Sequence, residues 1–152
     1  MNPAAVSDDT IVQEVTINAP AERIFAALTN PDELLKWWAA EGRFHATHVE
    51  TDPRPGGRWL MRVTSDHGIE ASTTTVRGEY RRVEPPSLLV FTWVRDEEDH
   101  PETLVRWDIE EQGGVTTVRL THSGLKTDRL RSRNSGWPLV VKLLQSHLEK
   151  QG

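Results

Sequence analysis

A chain of 152 residues, 36% hydrophobic and 27% charged, has the size and composition of one globular domain that buries roughly two-thirds of its unfolded surface. Its 18 basic and 23 acidic residues give a net charge of −5, which repels a phosphate backbone and argues against nucleic acid as a partner. The absence of cysteine excludes disulfides, thiolate metal sites and cysteine nucleophiles and fits a cytoplasmic setting, and no run approaches the ~18 apolar residues that membrane insertion needs.

Residues 1–10 are polar, lack the basic start and apolar middle of a secretory signal, and read as a flexible tail ahead of a single domain over 11–152. Ile11 to Asn18 reads as a strand, because Ile11, Val15 and Ile17 alternate onto one face. A helix follows, with Pro20 in its first turn and Ala21, Ile24, Phe25 and Leu28 at stripe spacing. Asn30-Pro31 ends it and starts a second helix: Asn30 caps, Pro31 takes the first position, Asp32 and Glu33 complement the positive end, and Gly42 marks the stop.

From His45 to Ser123 the pattern turns to five or six strands separated by polar or Gly/Pro clusters, as in an antiparallel meander. The breaks are Pro53 to Gly57, Asp66-His67-Gly68, Pro85-Pro86, Asp96 to Pro101 and Gln112-Gly113-Gly114. A basic connector then carries Lys126, Arg129, Arg131 and Arg133. The last helix begins near Ser135 and places Trp137, Val140, Val141, Leu144 and Leu148 on one stripe. Helices and strands are segregated, so the fold class is α+β. A twisted sheet gripping the last helix, with the two short helices after the first strand at one end, leaves room for a cavity between them.

Several stretches together resemble one superfamily: Ala19-Pro20-Ala21-Glu22-Arg23-Ile24-Phe25, Trp37-Trp38, Pro55-Gly56-Gly57-Arg58-Trp59, Gly78-Glu79-Tyr80 with Val83-Glu84-Pro85-Pro86, Leu89 to Trp93, Thr121-His122-Ser123-Gly124 and Gly136-Trp137. They occur in the order seen in the helix-grip superfamily, which includes START and Bet v 1 domains. The chain is most similar there to bacterial proteins resembling the C-terminal domain of the activator of Hsp90 ATPase. The resemblance runs from Ile11 to Leu148. It implies a curved antiparallel sheet wrapped around a long C-terminal helix. It also implies three classes of function, because the superfamily hosts lipid binders, interaction modules and cyclases. The first is a small hydrophobic ligand held in an internal cavity without a cofactor, in a stress- or metabolism-linked protein. The second is a co-chaperone-like domain with a protein partner, and the third is a cofactor-free cyclase or related enzyme.

Six tryptophans against three phenylalanines and one tyrosine are unusual. Indoles of this kind serve either as core packing or as a cavity wall. Strand alternation puts Trp59, Met61 and Val63 on one face, Leu89, Phe91 and Trp93 on another, and Val105, Trp107 and Ile109 on a third. If these faces look toward the last helix, they form a ligand site with Trp137, Val141 and Leu144 as its floor. Phe25 and Trp38 join from the short helices, and Met61 supplies an adaptable surface.

His122 shares a parity with Val118 and Leu120. It is therefore either a hydrogen-bonding group for a ligand's polar end or a satisfied buried histidine. His147, near the end of the last helix, reads as structural or solvated. His45 and His48, three apart on a strand, are expected on opposite faces, which speaks against a metal pair. Glycine-rich phosphate loops, nucleophile elbows, His-Glu-x-x-His pairs and dinucleotide fingerprints are all missing. Acid–base work by Glu79, Arg62 or His122 is the route left open to an enzyme.

Overall fold

The computed structural model of the chain describes residues 9–65, 72–96 and 100–150. In chain order the elements are β1 (Ile11–Ile17), α1 (Ala21–Thr29), α2 (Pro31–Trp37), β2 (Ala39–Ala40), β3 (Phe44–Thr51), β4 (Arg58–Ser65), β5 (Thr73–Glu84), β6 (Leu88–Arg95), β7 (Thr103–Gln112), β8 (Val115–Ser123), α3 (Asp128–Arg133) and α4 (Trp137–Lys150). The strands form one antiparallel sheet in the order β1-β8-β7-β6-β5-β4-β3-β2. From β2 onward each strand pairs with the next, and β1 completes the sheet by pairing with β8, Val15 facing Val118.

The sheet curls into a half-barrel because its inward faces are continuously apolar. Trp59 and Met61, Trp107 and Ile109, Val118 and Leu120 are all buried, and α4 lays Val140, Val141, Leu144 and Leu148 into the same core. This is the helix-grip arrangement. Fully burying each such side chain contributes about 1.5–3 kcal/mol, so the faces specify register and curvature together.

Polar contacts fix the helices to the sheet. The side chain of Pro20 cannot cap α1; instead Glu111, at the end of β7, accepts the Ala21 N–H at 2.7 Å. Asn30 caps α2 by accepting from the Asp32 N–H. Gln145 of α4 donates to the Thr16 carbonyl, and the Asn18 N–H donates to Glu149, tying α4 to β1.

Close approach rather than turn geometry requires glycine at 78. A Cβ there would lie 1.8 Å from the carbonyl oxygen of Thr92, the atom that accepts the indole N–H of Trp59.

The structure corrects several expectations. Pro20 is extended and precedes α1. Helix α2 ends at Trp37, not near Gly42, because Trp38 leaves helical geometry and Ala39–Ala40 pairs with Phe44 and His45; Gly42, with φ of 77°, serves the turn between them. The basic connector contains α3, capped by Thr127, and the last helix starts at Trp137. A bulge between Ala46 and His48 puts His45 opposite Thr64 and His48 opposite Arg62, so both imidazoles share the outer face. Among the described residues no group of three or more His, Cys, Asp or Glu could hold a metal ion.

The expected turn at Asp66-His67-Gly68, most of the acidic turn after Asp96, and tail residues 1–8 lie outside the described residues. Within the expected tail, Asp9 accepts the Leu125 N–H at 2.9 Å and so joins the domain. Among the described residues no helix is long and apolar enough to cross a membrane.

Candidate functional site

All six tryptophans meet. Trp93 lies at the hub, its ring centroid 5.5 Å from Trp59, 5.2 Å from Trp137 and 6.4 Å from Trp38, and Trp37 and Trp107 join through Trp38 and Trp137. Four of the indole N–H groups have acceptors, as burial demands. Trp37 donates to the Ala27 carbonyl, Trp59 to the Thr92 carbonyl, Trp93 to Asn134 Oδ1, and Trp137 to His122 Nδ1.

His122 is fully buried. Because its Nδ1 accepts from Trp137, the proton sits on Nε2, which donates to Thr103 Oγ1 at 2.8 Å; that hydroxyl in turn donates to the Trp93 carbonyl at 2.9 Å. Burial, and secondarily the charge on nearby His100, push its pKa down to about 3. A ring that is neutral and engaged at both nitrogens is neither a base near neutral pH nor a free ligand contact. Of the other acid–base candidates, Arg62 is exposed and Glu79 lines a surface groove with Arg58, away from the interior.

The indoles leave only about 40 Å³ among Trp59, Phe91, Trp107 and their neighbours. Beside them, at the end of the sheet where β3 and β5 begin and β4 and β6 end, a cavity of about 300 Å³ opens to the outside. Trp38, Trp93 and Trp137 form its inner wall, Met61, Val63, Val76 and Val140 extend it, and Arg43, Arg95 and Arg133 also line it. A groove of about 630 Å³ lies beside α3, but tryptophan and phenylalanine are absent from its lining, so the smaller cavity is the better apolar site.

Of the eleven residues expected to contact a ligand, Trp38, Met61, Trp93 and Trp137 line this cavity. Trp59, Phe91 and Trp107 border the small interior void rather than this cavity, and Trp59 also edges the groove that holds Arg58 and Glu79. Phe25 packs half-buried against the core, and Val141, Leu144 and His122 are buried behind the wall. The expected floor is therefore displaced toward the first turn of α4, where Val140 rather than Val141 meets the opening. Val76 was readable from the alternation of β5. Arg43 and Arg95 had no local signal, since each is only a charged residue at a strand boundary.

A second polar centre joins the helices. Glu33 of α2 binds Arg23 of α1 at 2.7 Å and His147 of α4 at 2.9 Å. Burial raises the Glu33 pKa, but the hydrogen bonds from His147 and Arg23 outweigh it and hold the carboxyl below its ordinary value.

The family model for activator of Hsp90 ATPase homolog 1-like proteins matches residues 18–149. The chain is similar to a protein from Chromobacterium violaceum at 22% identity, with a TM-score of 0.81 over 93% of this chain and 98% of that one. An AHSA1 protein from Silicibacter pomeroyi is 24% identical, with a TM-score of 0.78 over 94% and 99% of the two chains. For an AHSA1-like protein from Aeromonas hydrophila the values are 24%, 0.73, and 94% of each chain. Likeness at these identities speaks for the fold. No curated protein sequence matches the chain.

Proposed function

Because the chain belongs to the activator of Hsp90 ATPase homolog 1-like family, whose helix-grip scaffold serves ligand binding in general, we propose that it binds a small, largely apolar molecule at the mouth of the grip. The observation that carries this reading is the open cavity of about 300 Å³ with an aromatic inner wall. That volume stands at the lower end of the ~300–1,000 Å³ typical of small-molecule sites. Rigid indoles offer flat apolar area at little entropic cost, and Met61 adapts to irregular shapes.

The interaction-domain reading draws less support. The large apolar residues exposed among the described ones are Leu35, Leu104 and Val115, on α2 and at opposite ends of the β7–β8 hairpin, which does not make a contiguous patch.

A neutral fluorescent probe, N-phenyl-1-naphthylamine, tests the proposal. Binding beside Trp38, Trp93 and Trp137 should quench tryptophan emission saturably, transfer energy to the probe and raise the melting temperature. Absence of both saturable quenching and a thermal shift would defeat it.

A further inference from the structure

From the cationic lining of the mouth we infer that the ligand is an organic acid: an apolar body seated on the indoles, with one anionic group at the entrance held by Arg43, Arg95 and Arg133. This inference rests on the pocket proposed above and adds the chemical class of its occupant.

The three guanidinium groups come from separate parts of the chain. Arg43 lies in the turn between β2 and β3, Arg95 is the last residue of β6, and Arg133 is the last residue of α3. The fold brings all three to the lining of one cavity. Among its described lining residues there is no aspartate or glutamate; the remaining polar members are the neutral Ser65, Ser72, Thr74 and Asn134. This runs against the composition, in which 23 acids outnumber 18 bases. Three arginines on one apolar opening are thus a local concentration of cations in a chain with excess acids.

The chemistry of the arrangement is selective. A guanidinium offers paired N–H donors that match the two oxygens of a carboxylate, and it stays charged at any working pH. Arg95 is half-buried whereas Arg43 and Arg133 are exposed, so one guanidinium sits against the low-dielectric wall, where attraction to an anion is screened less than in water. Its apolar neighbours Trp93 and Val76 would cover the part of the ligand next to the charged group. A neutral molecule of the same shape would gain the wall but not the rim, and a cation would be repelled.

Two matched pairs of probes test this: naphthalene-2-acetate against naphthalene-2-acetamide, and decanoate against decanamide, each titrated by tryptophan quenching. With the unmodified protein at low salt, the acids should bind at least ten-fold more tightly than the amides, and the advantage should shrink as ionic strength rises. In R43Q and R95Q the ratio of acid to amide affinity should fall several-fold. Should one variant not fold, the acid-to-amide ratio in the unmodified protein still decides. Equal binding of acid and amide, or tighter binding of the amide, overturns the organic-acid inference and leaves the apolar pocket standing. If no member of either pair binds, the pocket reading fails and the inference fails with it.

Discussion

Trp137 donates its indole N–H to Nδ1 of His122 at 2.9 Å, so the first turn of α4 is hydrogen-bonded to the end of the last strand, β8, inside the aromatic core. This bond decides which nitrogen of His122 carries the proton, and through Thr103 it reaches the backbone of Trp93. Two of the three tryptophans of the cavity wall, Trp93 and Trp137, are thus positioned by one buried polar chain. Trp137→Phe keeps an aromatic ring but leaves Nδ1 without its donor. It should cost about 1–3 kcal/mol, the penalty for an unsatisfied buried acceptor, in urea denaturation near pH 7. An unchanged midpoint would show that the bond is not structural.

The same histidine makes stability depend on pH. Its folded value of about 3 lies below the unfolded 6.5, so between those limits the unfolded chain binds a proton that the folded chain refuses. Stability should therefore be full above pH ~6.5 and fall as pH drops, with a limiting slope of ~1.4 kcal/mol per pH unit for one proton. His122→Asn should flatten the curve between pH 7 and 5. Nitrogen-detected NMR should find His122 neutral, with the proton on Nε2, throughout that range.

Glu33 links α1, α2 and α4 through Arg23 and His147. Glu33→Gln should lower stability at pH 7 by ~1 kcal/mol, since partly exposed pairs are worth little each but this carboxylate serves two. The Glu33 carboxyl is held below its ordinary value, so its contribution is present above the unfolded carboxyl range and lost as pH falls through the depressed folded value. The gap between variant and parent should therefore close in acid; a gap independent of pH would point to packing instead.

Gly78 faces the Thr92 carbonyl at a distance no Cβ can share. Gly78→Ala forces β5 and β6 apart and disturbs the acceptor of Trp59, so we expect a loss of ~2–3 kcal/mol, in the range of overpacked cores. A melting temperature within a degree of the parent's would refute the close approach.

Val63 is only half-buried and lines the cavity. Val63→Trp should fill part of the opening, leave folding cooperative and abolish saturable binding of N-phenyl-1-naphthylamine. Undiminished binding would place the probe elsewhere.

Periodicity alone determined most of the architecture. The stripe Trp137, Val140, Val141, Leu144, Leu148 and the alternation of Trp107 with Ile109 each state which face is inward, because neighbours two residues apart on a strand, or three to four apart on a helix, report it locally. The bulge between Ala46 and His48 inverted one such inference, since a single extra residue reverses the parity that follows it. Only the tertiary structure decided where space remains. Trp59 and Trp93 share an inward orientation, yet only Trp93 borders the open cavity, and Val140 reaches it while the adjacent Val141 does not. Whether an inward side chain packs or lines a void depends on the summed volume of partners distant in the chain. The gathering of Arg43, Arg95 and Arg133 at one mouth likewise has no signature in any local stretch.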